Sequence, residues 1–277
     1  MRRTGFALSV VLLAAACQQE APAPGPSDTA GDSLAADTMS LESDAPVEAP
    51  TPVAEGREEK LSNEYFEFDY SYPAAAARYP SLKTLLDRRL VEAKLELEAA
   101  ARKDKREAEA DGYPFRPHSA GTAWKVVADL PDWLSLSAEI YAFSGGAHGM
   151  SNFATLLWDK RVSIPRKPVD LFASGAALRG AIQQPFCDAL NRERGKRRGQ
   201  PVNPASGDEF DACLDPLEST LILGSSNGAT FDRIGVLIAP YDAGPYAEGS
   251  YEVTLPVTDA VLAAVKPSFR PAFALGS

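Results

Sequence analysis

The chain has 277 residues, of which 45% are hydrophobic and 24% are charged, and its formal net charge is −10. This hydrophobic content suffices for one large core or two small ones. The acidic balance argues against nucleic-acid binding through a broad basic face, so we expect no nucleic acid among the partners.

The first 17 residues have the pattern of a secretion signal. Two arginines precede an apolar run over residues 6–13, which is shorter than the ~20 residues needed to span a bilayer. Alanines then lead directly into Cys17, which Gln18 follows, and this arrangement resembles a bacterial lipoprotein signal. The resemblance implies that Cys17 carries the lipid and becomes the mature N-terminus. The alternative is an ordinary signal peptide cleaved near Ala16, with Cys17 left as a free thiol.

The residue after Cys17 bears on the destination of such a lipoprotein. The residue that follows Cys17 is Gln18 and not aspartate, and by resemblance to Gram-negative lipoproteins this implies export to the outer membrane. The expected location is therefore the cell envelope, at the periplasmic face of the outer membrane, with the lipid as the membrane contact.

A compositional boundary follows the signal. Residues 18–56 contain six prolines, eight acidic residues and no lysine, arginine or aromatic residue. Such a segment cannot bury enough apolar surface to offset the entropy of ordering, and its like charges keep it extended. We therefore predict a disordered, acidic tether rich in proline and alanine over residues 18–60. The segment 18–56 contributes −8 and the signal +2 to the net charge, which leaves −4 for residues 57–277.

An N-terminal α+β module is predicted over residues 61–160. Aromatic residues alternate with polar ones over residues 66–72, which indicates a half-buried strand that Pro73 stops. Leucines and alanines at helical spacing then predict a helix from Pro80 to about residue 110. Lysines, arginines and glutamates occupy the other face of this helix and are typical of a solvated surface.

The rest of this module reads as strands. Three segments read as strands, at residues 124–130, 133–143 and 152–158, and in the second of them alternate residues form one apolar face. Because consecutive strands joined by short turns usually pair side by side, these segments predict an antiparallel meander.

A C-terminal α+β domain is predicted over residues 161–277. A helix is expected at about residues 175–198, and Pro185 should kink or divide it because proline removes a helical hydrogen bond. Short strands and a closing helix follow, at residues 221–223, 233–239, 251–255 and 257–265. The predicted fold class is therefore α+β: an antiparallel sheet meander packed with a few helices, in two small subdomains.

Cys187 and Cys213 remain once Cys17 is set aside. In an oxidising compartment such a pair favours a disulfide over two thiols, and the absence of C-x-x-C spacing favours a structural bond over a redox role. The chain contains only two histidines, His118 and His148, so we expect neither a metal site nor a cofactor.

The first candidate binding motif is a glycine-rich turn between strands. Gly145, Gly146 and Gly149 allow a backbone shape that other residues resist, and His148 brings a titratable imidazole. A binding or catalytic histidine is one interpretation. The other is a tight hairpin in which the ring satisfies a backbone carbonyl. The glycine spacing matches no phosphate-binding motif.

The second candidate motif is a loop rich in proline and glycine over residues 240–249. Tyr241, Tyr246 and Gly249 lie in it, and tyrosines on a rigid loop are good contact residues because they combine an apolar ring with a polar tip. The same tyrosines could equally pin the loop to the core.

Together these motifs resemble a known family. The turn Gly-Gly-Ala-His-Gly and the later Pro-Tyr-x-x-Gly-Pro-Tyr-x-x-Gly loop resemble the RsiV-type extracytoplasmic domain family, over about residues 61–275. The family includes the ectodomain of the anti-sigma factor RsiV and the N-terminal module of the peptidoglycan deacetylase PdaC. The resemblance implies an α+β domain that binds something at the cell envelope. We find neither a transmembrane helix nor room for a deacetylase domain, and expect neither sigma-factor signalling nor deacetylation.

Three functions remain for such a chain. The preferred hypothesis is a lipid-anchored, monomeric, non-catalytic binding domain for peptidoglycan or a lysozyme-like protein. The second is a structural envelope lipoprotein without a small ligand. The third is a cell-wall hydrolase, which would have to combine His148 with a carboxylate, and the available carboxylates are Asp129, Asp132, Glu139 and Asp159.

Overall fold

The computed structural model describes residues 47–277. The predicted signal, Cys17 and residues 18–46 of the predicted tether lie outside the described residues. No helix in the described part of the chain is both long enough and apolar enough to span a membrane.

The first layer is a six-stranded sheet whose strands follow one another in chain order. Its strands are β1 (Arg57–Ser62), β2 (Phe66–Tyr72), β3 (His118–Asp129), β4 (Trp133–Phe143), β5 (Met150–Asp159) and β6 (Ile164–Arg166). The short helix α1 (Ala74–Ala77) and the long helix α2 (Pro80–Asp111) separate β2 from β3. The α+β class predicted from the sequence is confirmed.

One strand pairing differs from the predicted antiparallel meander. The pairs β1–β2, β3–β4, β4–β5 and β5–β6 are antiparallel, whereas β2 and β3 pair in parallel. A parallel pair requires a crossover connection, and α2 provides it. The sequence shows the helix between the two strands but carries no sign of which strand the chain returns to.

The first hydrophobic core lies between α2 and one face of this sheet. Leu82, Leu86 and Leu90 are fully buried on the inner side of the helix and pack with the alternating aromatic residues of β2. Trp124 of β3 closes this core and donates a 3.0 Å hydrogen bond from its indole nitrogen to the Tyr70 hydroxyl. The helical and strand periodicities seen in the sequence thus face each other.

The second layer is a three-stranded antiparallel sheet with its own helices. Its elements are α3 (Gly175–Arg198), β7 (Thr220–Gly224), β8 (Arg233–Ile238), β9 (Tyr251–Pro256) and α4 (Asp259–Ala264). Their core also includes Ala128, Trp133 and Leu157 from the first sheet. The first sheet therefore contributes to both cores, and residues 47–277 belong to one compact unit.

The structure moves two boundaries that the sequence predicted. Strand β1 begins at Arg57, inside the predicted tether, because Arg57 pairs with Asp87 of α2 at 2.8 Å and Glu59 pairs with Lys94 of α2 at 2.7 Å. The predicted break after residue 160 falls within the first sheet, since β6 still pairs with β5.

Pro185 does not divide α3, which continues through it as one helix. The proline lies on the exposed side, where the carbonyl deprived of its hydrogen bond can reach water.

Cys187 of α3 and Cys213 form a disulfide across a sequence separation of 26 residues. Closing a loop of this length restricts the unfolded chain, so replacing both cysteines with alanine is expected to lower the free energy of unfolding by about 3 kcal/mol. Denaturant titration of residues 18–277 measures this loss. Reductant should reproduce the loss in the native sequence and have no effect on the double variant; equal stability of both forms under oxidising conditions would contradict the prediction.

Candidate functional site

The two candidate loops, distant in the sequence, meet at the surface. The glycine turn connects β4 to β5, and the tyrosine loop connects β8 to β9. The imidazole of His148 stacks on the ring of Tyr246 with a centroid distance of 3.9 Å and an interplanar angle of 21°. The ring of Tyr241 lies 5.5 Å from that of Tyr246 and 6.1 Å from the imidazole. We call His148, Tyr241 and Tyr246 the aromatic cluster.

Hydrogen bonds connect the cluster to the glycine turn. The Tyr246 hydroxyl donates to the Gly149 carbonyl at 2.8 Å, and Nδ1 of His148 lies 3.1 Å from the same oxygen. Nε2 of His148 lies 3.3 Å from the Tyr241 hydroxyl. The imidazole therefore contacts a backbone carbonyl, as expected for a tight hairpin with a structural histidine. It also belongs to an exposed aromatic surface.

The glycines of the two motifs differ in the structural reason for their presence. Gly145 has φ +89° and Gly249 has φ +69°, both in the region that favours glycine. A side chain at Gly149 would place its Cβ 2.2 Å from the Tyr141 hydroxyl oxygen, so Tyr141 occupies the space that this glycine leaves. Gly146 has open space around it, and its carbonyl accepts a hydrogen bond from Arg116.

Arg116 is a residue of this site that sequence reasoning missed. Its guanidinium donates to the carbonyls of Gly146 at 2.7 Å and Gly145 at 3.2 Å, and it lies 5.0 Å from the ring centre of Phe143. Arg116 precedes β3 and reaches the turn only because β3 and β4 are neighbours in the sheet. No local signal around Arg116 indicates this contact.

Charged side chains of α3 hold the tyrosine loop in place through hydrogen bonds. Arg198 donates to both carboxylate oxygens of Glu248, at 2.8 and 3.1 Å, and to Asp211 at 2.7 Å. The fully buried Arg194 donates to the Ala243 carbonyl at 2.8 Å. Charge-assisted bonds of this kind are stronger than neutral ones. We call Arg194, Arg198 and Glu248 the loop anchor.

The electrostatics of the loop anchor favour an ionised carboxylate. Burial alone would raise the pKa of Glu248, but hydrogen bonds from Arg198 and Tyr251 outweigh it and hold that pKa below its ordinary value. Burial, and then the neighbouring Glu248, raise the pKa of the Tyr251 hydroxyl. Burial and the nearby Arg198 lower the pKa of the Arg194 guanidinium.

The anchored loop presents Tyr241 to solvent in a strained conformation. Its φ is +74°, in the left-handed region where a bulky residue is rare, and it remains 47% exposed. Such strain persists only when the surroundings hold it, and it is common at binding and active sites.

The carboxylates considered for a hydrolase do not contact His148. Asp159 is fully buried and bonds Arg161 and Arg166, while Asp129 bonds Lys160. Glu139 lies in mid-strand on β4, and Asp132 lies in the β3–β4 turn. Within residues 47–277 no group of three histidine, cysteine or acidic side chains is placed to hold a metal ion.

A comparison with protein families finds a match for part of the chain. Residues 59–151 match the family model described as deacetylase PdaC. The match confirms the resemblance expected from the sequence. It runs from within β1 to the start of β5 and contains the glycine turn with His148, whereas the tyrosine loop lies outside it.

Other comparisons add less. No curated protein matches the chain. Two solved structures of DUF3298 family proteins are similar to it, one from Bacteroides fragilis at 16% identity and one from Pseudomonas aeruginosa PAO1 at 17% identity. Each alignment covers 82% of this chain, and 96% and 99% of the respective neighbour, with a TM-score of 0.45 in both cases. At these values the likeness carries no argument about function.

Proposed function

We propose that this protein is a lipid-anchored component of the cell envelope whose folded domain binds the glycan strands of peptidoglycan through the aromatic cluster. The observation that carries the proposal is the stack of His148 on Tyr246 beside the exposed Tyr241. Three rings from two distant loops converge at the surface, and the loop anchor holds one of those loops in place.

The chemistry of the cluster suits a saccharide. The faces of a sugar ring consist largely of C–H groups and pack on aromatic rings, while its hydroxyls require hydrogen-bonding partners. Tyrosine offers both, since its ring is apolar and its tip is polar. The imidazole adds a further polar group at the same surface.

A binding role fits these contacts better than a catalytic one. Both ring nitrogens of His148 face neutral oxygen atoms, of a carbonyl and a phenol, and neither faces a carboxylate. The matched family model is named after a deacetylase but covers only about a third of the chain. We therefore carry over the module and not the activity.

A lysozyme-like protein is the second candidate partner. Residues 57–277 carry a net charge of −4, and an acidic domain attracts a basic protein surface. The two candidates differ in their response to salt. Contacts through uncharged rings should change little with ionic strength, whereas attraction between exposed charges weakens as salt screens it.

A titration of residues 18–277 tests the proposal. We expect saturable binding to soluble, peptide-free glycan fragments of peptidoglycan, with an affinity that does not fall as the salt concentration rises, because the lactyl carboxylates of these fragments are not attracted to an acidic domain. Salt-sensitive binding to a lysozyme alone would favour the second candidate. Failure to bind either would contradict the proposal and leave a structural envelope lipoprotein, for which co-purification with other envelope proteins is the appropriate assay.

A further inference from the structure

An open cleft of about 480 Å³ lies on the first sheet, on the face opposite α2. Phe68 and Tyr70 point towards α2 and are buried, so the alternating residues Glu67 and Asp69 point to the other face. At this end of the sheet, the lining of the cleft is made by β1, β2, β3 and Tyr141 of β4.

The floor of the cleft is a glycine in the middle of a strand. Gly121 of β3 lies between Asp69 on β2 and Tyr141 on β4 in the register of the sheet. A Cβ built on Gly121 would meet only the Cβ of Tyr141, at 3.9 Å, so no neighbour requires this glycine. Glycine weakens a strand interior and often marks a place where a ligand approaches the backbone closely.

The walls combine an aromatic ring with polar groups. Tyr141 is 39% exposed and forms one wall. Lys60, Glu67 and Asp69 lie on the other side, and Ser119 of β3 lies on the strand between them. Lys60 pairs with Asp69 at 3.7 Å, whereas among the described residues Glu67 forms no ion pair.

The charges of the cleft select among occupants. Two carboxylates and one ammonium line it, so an anionic occupant would be repelled. This argues against the acidic segment 18–56 of the same chain as the occupant. A neutral sugar with hydroxyls fits an apolar ring faced by hydrogen-bonding acceptors and donors. In a peptidoglycan strand this sugar is N-acetylglucosamine, since a muramic acid without its peptide carries a lactyl carboxylate.

Tyr141 links the cleft to the aromatic cluster. Its hydroxyl lies against Gly149, whose carbonyl accepts the hydrogen bond of Tyr246. We propose that the cleft is a second saccharide subsite, which binds a further sugar of the glycan strand whose first contact is the aromatic cluster. This inference rests on the proposed function, since both subsites belong to one strand-binding surface.

Filling the floor of the cleft tests the second subsite. Gly121→Val adds an isopropyl group above the sheet, the added Cβ would lie 3.9 Å from the Cβ of Tyr141, and valine favours a strand. We expect the native chain to bind a peptidoglycan octasaccharide more tightly than a disaccharide. In Gly121→Val the octasaccharide should lose roughly tenfold in affinity, about 1.4 kcal/mol, while disaccharide binding at the aromatic cluster is retained.

Ala123→Val provides the matched control. Ala123 follows two residues later on the same strand and face, and it is not part of the lining of the cleft. Equal octasaccharide affinity for Gly121→Val and the native chain would overturn the second subsite and leave the proposed function intact. A native chain that binds neither oligosaccharide would overturn both. Thermal melting of each variant separates loss of the subsite from loss of the fold.

Discussion

Replacing Tyr246 with alanine is expected to weaken glycan binding at least about thirtyfold, which corresponds to ~2 kcal/mol and is typical of an aromatic residue at the centre of a contact surface. Tyr246 is the ring nearest to each of the other two in the cluster, with centroid distances of 3.9 Å to His148 and 5.5 Å to Tyr241. Its removal takes away the shared stacking partner and one of the two hydrogen bonds to the Gly149 carbonyl.

Titration calorimetry with the peptidoglycan octasaccharide measures this loss. Tyr246→Phe keeps the ring and removes only the hydroxyl, so its affinity should fall between those of the native chain and Tyr246→Ala. Tyr113→Ala is the matched control, because Tyr113 is 52% exposed just beyond the end of α2 and belongs to no part of the cluster. An octasaccharide affinity of Tyr246→Ala equal to that of Tyr113→Ala would place the binding surface elsewhere.

Arg198→Ala is expected to lower the free energy of unfolding by about 2–3 kcal/mol. The side chains of Arg198 and Glu248 are 17% and 15% exposed, so little water replaces the lost guanidinium. Glu248 would keep the hydrogen bond from Tyr251 but lose its paired cation. Asp211 would lose its ion-pair partner and keep only the hydrogen bond from Ser206. Leaving a charge unpaired at a mostly buried site costs more than the pair itself contributes.

Denaturant unfolding at pH 7 measures the effect, and Arg192→Ala is the control. Arg192 lies on the same helix, is exposed and forms no ion pair among residues 47–277. A loss in Arg198→Ala no larger than that of the control would show that the loop anchor contributes nothing to stability. Glycan affinity should fall in Arg198→Ala too, because the anchor positions the tyrosine loop.

The loss of stability at acid pH, compared between the native chain and Arg198→Ala, provides a second test of the loop anchor. The folded-state pKa of Glu248 lies below its ordinary value of 4.5, so its contribution to stability is complete above that pH. The contribution is lost as the pH falls below 4.5 and passes through the lowered folded-state pKa. In Arg198→Ala this acid-side decline should be shallower, since the main hydrogen-bond donor to the carboxylate is gone.

The local elements of this fold could be predicted because their signals are short-range. The period-two aromatic residues of β2 and the helical spacing of the leucines in α2 each require burial of one face. Both elements appear within a residue or two of the predicted bounds. The disulfide between Cys187 and Cys213 is likewise expected, because these two cysteines remain once Cys17 is set aside. In contrast, four consecutive charged residues hid β1 from sequence reasoning, and two of them, Arg57 and Glu59, pair with α2.

The two loops of the candidate site could be predicted from the sequence, but the side chains that hold them could not. Glycines and tyrosines pointed to two loops, since these residue types carry backbone freedom and contact chemistry wherever they lie. Nothing local indicated that Arg116 would hold the glycine turn or that Arg198 would hold the tyrosine loop. Side chains of this kind act through partners that are distant in the sequence.

The sequence by itself determined the α+β composition, the burial pattern of the main helix and strands, and the two loops that could bind a ligand. Only the tertiary structure decided that β2 and β3 pair in parallel and that one sheet serves two cores. It also decided that His148 stacks on Tyr246. The physical reason is that periodicity and turn propensity act between near neighbours in the chain, whereas strand order and loop convergence depend on packing between distant segments.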